Sequence, residues 1–552
     1  YQNRLGISKV FSALSRNLYS LFSYENQLFF PPLRIYLVLL IENCTMTRIN
    51  IMILLAFTLS GSISNSLQAQ SYKKFSHYVG GAGIEEVNKM QVVNGESYLL
   101  GSTRSANFPV TNGTTYKGLL DITLTKYDVN GNVLFATYLG GIYNETVTAM
   151  QVLNGEVYLI GTTESNNFPV TNGSVFRGGL QDIFVTKITG TGTLAFSTYL
   201  GGAKNETPLL NTIQISGNEI IIAGTTGSAD FPVSNNTIYG GGISDVFLSK
   251  LDATNGNLVS SALYGGKNTD ELVKTEFENG SVYLIGSTLS SNLPVTIGNP
   301  INDTVPNIFI TKYNTGTLDV LYARYLGGFG SDFISSSKLI NGILHISGYT
   351  YSLNFPVVNG YGSSIQGLDY ADGFYTRLDS NGNIVYSSYI STNDLDIMSD
   401  MIISNGDIYL IAGRAFSPYN GEKKLIIFKL NENGGLIYSK KFNLGFGNFG
   451  SFAFEVLNED FYMTGISLGI GFPVTNGSQF FSGGTGFFTR LDALGNTSFS
   501  GFLGKMSSMS LMKVSNGKFY LLGNSDLASY PITDQSSIAG SNDHLLIIKN
   551  PD

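Results

Sequence analysis

Residues 147–202 read VTAMQVLNGEVYLIGTTESNNFPVTNGSVFRGGLQDIFVTKITGTGTLAFSTYLGG, and variants of this stretch recur along most of the chain. The glycine that ends the YLIG element recurs at Gly101, Gly161, Gly224, Gly286, Gly348, Gly413, Gly465 and Gly523. The successive spacings are 60, 63, 62, 62, 65, 52 and 58 residues. A repeated unit of roughly sixty residues therefore decides the fold.

Within each unit, apolar residues alternate with a period of two, which predicts β-strands. Neither set of alternate positions is wholly polar, so both faces of these strands should be covered. Asn-Gly pairs at 94–95, 154–155, 279–280, 341–342 and 405–406 supply the positive φ angles of tight hairpins. The Asp-x-Asn-Gly-Asn turns beginning at Asp128 and Asp379 predict a second hairpin. Each unit thus predicts four antiparallel strands.

The two ends of the repeat region predict how the sheets are arranged. Four-stranded units repeated in this way are typical of a β-propeller, whereas the coils of a β-solenoid are much shorter. The repeats begin with a lone last strand at 74–81 and finish with three strands at 511–514, 518–523 and 543–549. We therefore predict an all-β fold, an eight-bladed β-propeller of four-stranded antiparallel blades. The N-terminal strand would complete the last blade and close the ring.

Composition narrows the class of partner. Hydrophobic residues make up 43% of the chain and charged residues only 13%, which predicts a protein with a large core. The net charge of -8 offers no basic field for phosphate groups. Nucleic acid and anionic membrane surfaces are therefore disfavoured as partners.

The first 69 residues differ in character from the repeats. Residues 46–69 have a short positive start, an apolar run at 51–59 and a small residue at Ala69, which predicts a cleavable signal peptide. We interpret residues 1–45, which contain the only cysteine, as an upstream leader or gene-model extension. A second apolar anchor at 35–41 is the weaker alternative. Residues 70–552 then form a single exported propeller domain without a membrane span, at the cell surface, outside the cell or in the periplasm.

The phrases STYLGG, NGEVYLIGTT, NFPVTNG and DIFVTK resemble the bacterial β-propeller repeat family abbreviated SBBP, over roughly residues 72–549. The resemblance implies an exported protein with the QVLNG strand nearest the axis and the FSTYLGG strand outermost. It implies no defined activity. The family name suggests seven blades, whereas the repeats in this chain indicate eight.

A basic residue ends the third strand of every unit, at Lys126, Lys187, Lys250, Lys312, Arg377, Lys429, Arg490 and Lys549. A ring of eight cations could bind an anion or a polyanionic glycan. We favour structural ion pairing with the acids that follow Gly-Gly, which are Glu86, Glu145, Glu206, Glu271 and Asp332. The aspartates that begin the third strand, Asp121, Asp182, Asp245, Asp372 and Asp543, are predicted to cap turns.

Three further features have a structural and a functional interpretation. Phenylalanines before Pro-Val, at Phe108, Phe168, Phe231, Phe355 and Phe472, are predicted to be wedges between adjacent blades. The turn at Asp128 lacks the bidentate glutamate of a calcium loop, so we predict a plain hairpin. The short loop at 414–421 and the proline-containing loop at 297–307 are candidate partner contacts, with ordinary loop drift as the alternative.

The sequence contains no recognisable catalytic signature. The three histidines, His77, His345 and His544, are scattered over separate units, so we assign no catalytic, cofactor or metal residue and expect no cofactor. The residues that bind a partner stay unknown at this stage. We favour an exported, non-enzymatic, monomeric module for binding, adhesion or structure, with a protein or glycan partner. The alternative is a lyase or glycosidase that uses carboxylates on the axial face.

Overall fold

The computed structural model describes residues 80–549 apart from 235–236, 299–304, 363–370, 392–396, 417–422, 446–451, 468–471, 476–477, 479–483, 506–507, 516–517 and 526–542. The leader, the signal peptide and most of the lone strand at 74–81 lie outside the described residues. Within the described part every regular element is a β-strand, and no helix is long and apolar enough to cross a bilayer.

The strands form eight consecutive antiparallel sheets. Sheets one to four contain β1 (Glu85–Val93), β2 (Glu96–Thr103), β3 (Asp121–Tyr127), β4 (Val133–Leu139); β5 (Glu145–Leu153), β6 (Glu156–Thr163), β7 (Asp182–Ile188), β8 (Leu194–Leu200); β9 (Glu206–Ser216), β10 (Glu219–Thr226), β11 (Asp245–Asp252), β12 (Leu258–Tyr264); and β13 (Asp270–Glu278), β14 (Ser281–Thr288), β15 (Asn307–Asn314), β16 (Val320–Leu326).

Sheets five to eight contain β17 (Asp332–Ile340), β18 (Ile343–Thr350), β19 (Asp372–Leu378), β20 (Ile384–Ile390); β21 (Met398–Ser404), β22 (Asp407–Phe416), β23 (Lys423–Leu430), β24 (Leu436–Gly445); β25 (Phe452–Leu457), β26 (Asp460–Ser467), β27 (Thr485–Leu491), β28 (Thr497–Lys505); and β29 (Ser508–Ser515), β30 (Lys518–Ser525), β31 (Asp543–Lys549).

The order of strands confirms the four-stranded unit. Seven sheets have four strands in sequence order, and the eighth has three. The predicted hairpins are also confirmed, since Asn154 and Gly155 adopt φ angles of 53° and 80° between β5 and β6. Two successive positive φ angles belong to a hairpin turn whose twist matches that of the strands. Each of the seven four-stranded sheets therefore has the topology of a propeller blade.

Adjacent sheets bury their faces against each other, and the first strand of each sheet contacts the first strand of the next. One apolar cluster joins Ile122 and Leu124 of sheet one to Phe168 and Phe184 of sheet two. The Phe168 ring stacks on Phe184 at 4.7 Å between centroids. The prediction of phenylalanine wedges between adjacent sheets is thereby confirmed for this unit, and Phe231 occupies the same place between sheets two and three.

The connection after the second strand covers part of the outer edge of sheets one to five and of sheet seven. In sheet two, the Thr171 N–H donates to the Ser197 carbonyl at 2.9 Å, and the Ser197 N–H donates to the Thr171 hydroxyl at 3.0 Å. An uncovered edge strand would offer unpaired backbone groups to other chains. The NFPVTNG segment therefore protects the fourth strand as well as filling the junction.

The tyrosine of the STYLGG phrase holds this connection in place. The Tyr199 hydroxyl donates to the Ser165 carbonyl at 2.6 Å and accepts from the Phe168 N–H at 2.9 Å. The equivalent contacts recur at Tyr138, Tyr325 and Tyr389. A buried hydroxyl with two backbone partners explains why this position is tyrosine in these sheets.

Replacing Tyr199 by Phe should lower the free energy of unfolding by about 1–3 kcal/mol, because two buried backbone groups lose their partner. Tyr143, whose side chain is 48% exposed, is the matched control, and its change to Phe should stay within about 0.5 kcal/mol. Urea unfolding of both variants measures the difference. Equal effects of the two substitutions would contradict the role given to the Tyr199 hydroxyl.

Candidate functional site

Five of the basic residues at the ends of the third strands pair with acids of their own sheet. The Lys187 Nζ lies 2.6 Å from the Glu156 carboxylate at the start of β6. The same pairing joins Lys126 to Glu96, Lys250 to Glu219, Lys429 to Asp407 and Arg490 to Asp460. The predicted partners, the acids after Gly-Gly, are wrong, because those acids lie at the opposite end of the sheet.

These cations also connect neighbouring sheets. The Lys250 Nζ donates to the Gly316 carbonyl of sheet four at 2.9 Å, and the Lys429 Nζ donates to the Ala493 carbonyl of sheet seven at 3.1 Å. In sheet two the Lys187 Nζ lies 5.2 Å from the centre of the Tyr158 ring. The side chain of Lys549 lies outside the described residues. An ion pair, an aromatic ring and a neighbouring carbonyl together give this position a structural role.

Strand register identifies the recurring acid as the first residue of the first strand in sheets one to five. These residues are Glu85, Glu145, Glu206, Asp270 and Asp332, each paired in register with a threonine at the end of the second strand. Glu86 and Glu271 were predicted to be the recurring acid, but each lies one residue after it and is exposed. Both predictions are therefore wrong by one residue. Glu86 and Glu271 each follow another acid, and only the pairing of strands shows which of the two adjacent acids occupies the recurring position.

The aspartates that begin the third strands do more than cap a turn. Asp182 accepts from the Arg177 N–H at 2.7 Å with one oxygen, which confirms the predicted cap. Its other oxygen faces Glu206 of the next sheet across Gly201. A methyl group placed on Gly201 would lie 2.7 Å from both Asp182 Oδ1 and Glu206 Oε2. Both carboxyl groups are completely buried, and this contact between sheets was missed by the sequence analysis.

Burial determines the protonation of these groups. Loss of hydration, together with the nearby Glu206 carboxylate, raises the pKa of Asp182 to about 7. Burial also raises the pKa of Glu145 to about 7, against hydrogen bonds from Ser165 and Thr163 that lower it. Such groups resemble catalytic carboxyls in their pKa values. Their complete burial, however, keeps them away from any substrate.

A different feature stands out on the surface of sheet five. We use the term aromatic platform for Phe329, Phe333, Tyr349, Tyr351 and Leu353. The exposed fractions of Phe329, Tyr351 and Leu353 are 77%, 47% and 82%. Phe333 and Tyr349 stack at 5.0 Å between ring centroids, and Tyr349 meets Tyr351 edge to face at 6.4 Å. The Phe329 N–H donates to the Asn354 side chain at 2.8 Å, which holds the Phe329 loop beside Leu353.

The aromatic platform is a departure from the repeat. At the positions of Phe333 and Tyr349, the first four sheets have only polar residues, which are Glu86, Thr146, Thr207 and Glu271, then Ser102, Thr162, Thr225 and Ser287. At the position of Leu353 they have Ala106, Asn166, Ala229 and Ser291. Aligning the units position by position would have found this difference, because Phe333, Tyr349 and Leu353 replace smaller or more polar residues within one unit.

The other sequence candidates receive less support. Residues 417–422 and 299–304 of the two candidate loops lie outside the described residues. The connection between β22 and β23 is short, since β22 ends at Phe416 and β23 begins at Lys423. His345 is buried, and its Nδ1 lies 2.6 Å from the Tyr375 hydroxyl, which gives it a core role. The Asp128 carboxylate accepts from the Asn130 and Asn132 N–H groups of its own turn, as a plain hairpin does.

Between sheets one and two lies an open cavity of about 260 Å³. Its wall includes Asn112, Lys117, Tyr138 and Pro169. This volume lies below the usual range of ligand pockets, roughly 300–1,000 Å³. The cavity is therefore a weaker candidate than the aromatic platform.

Comparison with known proteins adds little about activity. No protein-family model matches the chain. The chain is 26% identical over 379 residues to the regulatory protein FlaEY of Caulobacter vibrioides, covering 64% of this chain. The match spans 39% of the length of that curated relative.

Solved structures with similar folds were also found. BamB from Moraxella catarrhalis matches with 11% identity and a TM-score of 0.42, covering 84% of this chain and 98% of BamB. A quinohemoprotein alcohol dehydrogenase from Pseudomonas putida matches with 9% identity and a TM-score of 0.44, covering 86% and 76%. The β-propeller domain of the Trilobed protease from Pyrococcus furiosus matches with 8% identity and a TM-score of 0.34, covering 71% and 90%. We draw no functional conclusion from similarities at this level.

Replacing Lys250 by Met should lower the free energy of unfolding by about 1–2 kcal/mol, because an ion pair and a hydrogen bond between sheets are lost. Lys187→Met should cost only about 0–1 kcal/mol, since its partly exposed pair lies within one sheet. Lys204→Met, at an exposed position, is the control. Chemical denaturation of the three variants gives the order, and a larger loss at Lys187 than at Lys250 would contradict the role of the Gly316 contact.

Proposed function

We propose that this protein is an exported, non-enzymatic β-propeller that serves as a binding or adhesion module of the bacterial cell surface or periplasm. The observation that carries the proposal is the aromatic platform on sheet five. Exposed aromatic and aliphatic side chains of this size cost stability in water unless a partner covers them. At the aromatic platform one unit differs from the residue pattern that the other units share, and large exposed side chains of this kind form binding surfaces.

The geometry of the platform supports binding rather than folding. Phe333 and Tyr349 form a stacked base, and Phe329, Tyr351 and Leu353 present exposed side chains beside it. Aromatic side chains held by a rigid sheet are the usual anchors of an interface, because little conformational entropy is lost on binding. A protein surface or a glycan ring are the two classes of partner that fit such anchors.

We further propose that eight blades close into a ring of the SBBP type, with residues 74–81 as the outer strand of sheet eight. Every residue of β3 is buried, so the face of sheet one that has no preceding sheet is covered as well. A methyl group on Gly80 would lie 3.0 Å from Glu85 Oε2, as the equivalent glycines lie beside the acids of other junctions. Closure would place Asp543, the first residue of β31, at this junction.

The non-enzymatic part of the proposal rests on where the acids lie. The carboxyl groups that approach each other, such as Asp182 and Glu206, are completely buried and cannot contact a glycan. On the inner strands, Glu276 accepts from the Ser337 hydroxyl at 2.6 Å and has Lys274 and Lys338 as charged neighbours. Acids neutralised by lysines fit a glycosidase poorly, because that reaction needs two free carboxyl groups facing the substrate.

Substituting serine for Phe329, Tyr351 and Leu353 together should abolish binding to a partner found by screening the exported protein against glycan arrays and cell-surface proteins. The melting temperature should change little, because the three side chains are largely exposed. Ile243→Ser is the control, since Ile243 is 77% exposed on sheet three. Binding that survives the triple substitution, or hydrolysis of a polysaccharide in parallel assays, would contradict the proposal.

Deleting residues 71–81 should lower the melting temperature and promote aggregation, since the last sheet would lose its outer strand and expose an edge. Thermal unfolding and light scattering of the deletion variant, compared with a variant lacking only residues 1–69, measure both effects. An unchanged melting temperature without aggregation would count against closure by this strand.

A further inference from the structure

Four junctions between sheets share one side-chain arrangement. A residue at the start of a third strand meets the first residue of the next sheet, with a glycine between them. Across the glycine lie Asp121 and Glu145, Asp182 and Glu206, and Asn307 and Asp332. At the remaining junction Asp245 lies beside Gly265, and Asp270 is close enough for its charge to raise the pKa of Asp245. At the first junction a methyl group on Gly140 would lie 2.5 Å from Asp121 Oδ1 and 2.8 Å from Glu145 Oε2. A side chain at this glycine would displace the carboxyl groups.

At the second junction Asp182 Oδ1 and Glu206 Oε2 have no hydrogen-bond donor among the described residues, and both residues are completely buried. The other junctions differ, because Asp121 Oδ1 accepts from the Gly118 N–H at 3.2 Å and both oxygens of Asp270 accept hydrogen bonds. The remaining oxygen of Glu206 accepts from the Thr226 hydroxyl at 2.8 Å. Two facing carboxylates without a donor repel each other strongly in a buried site. One proton held between them supplies the missing donor and removes the repulsion.

The fourth junction contains a natural substitution that fits this chemistry. Asn307 occupies the position that Asp121, Asp182 and Asp245 occupy in other sheets, and its carbonyl oxygen lies across Gly327 from Asp332, while its amide group donates to the Val305 carbonyl at 3.1 Å. An amide has the shape of a carboxyl group and is neutral, as a protonated carboxylic acid is. The junction therefore tolerates a neutral group at the position of the aspartate.

We propose that the pair Asp182–Glu206 holds one shared proton in the native protein, so that this junction between sheets is stronger in mild acid than in alkali. Asn307 places a neutral carbonyl oxygen, rather than a second carboxylate, at the equivalent place in another junction. The Gly-Gly end of sheet two thus contains a pH-dependent contact with sheet three.

The charges around the pairs are compatible with this arrangement. Near Asp182 and Glu206 lie Arg177, Asp230 and the Tyr199 hydroxyl. Near Asp121 and Glu145 lie Lys117, Tyr116 and Tyr138, and near Asp245 and Asp270 lie Tyr239, Tyr264 and Tyr325. The Arg177 and Lys117 backbone N–H groups donate to Asp182 and Asp121 at 2.7 and 2.8 Å. Their side-chain charges act against the effect of burial and lower the pKa of the same carboxyl groups.

The direction of the pH effect follows from the pKa values. Burial raises the pKa of Asp182 and of Asp245 to about 7, whereas an unfolded aspartate titrates near 3.9. Between these values the native state keeps a proton that the unfolded state releases, so stability falls as the pH rises and is lowest above 7. Burial lowers the pKa of His345 to about 4, so His345 makes the folded protein more stable as the pH rises toward 6.5. This contribution of His345 is the same in the wild type and in the variants, so it cancels when their melting temperatures are compared at one pH.

A shared cation is the alternative occupant of the same place. Calcium takes six to eight oxygen ligands. In the described part of the chain, no group of three or more His, Cys, Asp or Glu side chains is arranged to hold a metal ion. A proton needs only the two oxygens that are present, so the geometry favours the proton.

The test compares melting temperatures at pH 5 and pH 8.5 for two opposite substitutions. Asn307→Asp creates a carboxyl pair and should lower the melting temperature more at pH 8.5 than at pH 5. Asp182→Asn removes a pair and should raise the melting temperature at pH 8.5, by on the order of a few degrees, with a smaller rise at pH 5. Asp319→Asn, at an exposed position, is the control and should show no such pH dependence.

Two results would overturn the proposal. In the first, Asp182→Asn and Asn307→Asp shift the melting temperature equally at both pH values. In the second, calcium raises the melting temperature of the wild type at pH 8.5 and Asp182→Asn abolishes that rise, which would assign the site to a cation. If Asn307→Asp fails to fold at either pH, Asp182→Asn decides the question alone.

Discussion

Both faces of every central sheet are apolar, and this constraint governs the whole structure. On β7, Ile183 and Val185 pack into the cluster shared with sheet three, while Phe184 packs into the cluster shared with sheet one. A sheet of four short strands with two apolar faces is unstable alone in water. Each sheet therefore needs a neighbour on either side, and we propose that the two terminal sheets meet that need by covering each other.

The polar contacts at the two ends of the sheets follow from this packing. At one end, Gly201 lies between the carboxyl groups of Asp182 and Glu206. At the other end, Gly192 adopts a φ angle of 87°, and a methyl group there would lie 2.7 Å from the Phe135 ring of the preceding sheet. Close approach at both ends sets the angle between adjacent sheets, and Lys250 and its equivalents reinforce it with bonds to neighbouring carbonyls.

Local patterns in the sequence predicted the strands, the hairpins and the phenylalanine wedges, because their signals lie within a few residues of each other. The pairing of Lys187 with Glu156 was missed, since it depends on the register of neighbouring strands rather than on spacing along the chain. The same limit explains the errors at Glu86 and Glu271. The aromatic platform was overlooked for another reason, since the repeat directs attention to shared residues and the platform consists of residues that differ.

Closure of the ring is the central claim, and a distance between sheets one and eight tests it most directly. The chain has a single cysteine, Cys44, so a protein beginning at Gln70 has none and can carry two spin labels at chosen sites. Labels at Gln91 and Lys513 occupy equivalent positions in sheets one and eight, and labels at Lys338 and Ile402 calibrate adjacent sheets five and six. A closed ring predicts the same narrow, short distance distribution for both pairs in pulsed electron paramagnetic resonance. A longer or much broader distribution for Gln91 and Lys513 would contradict it.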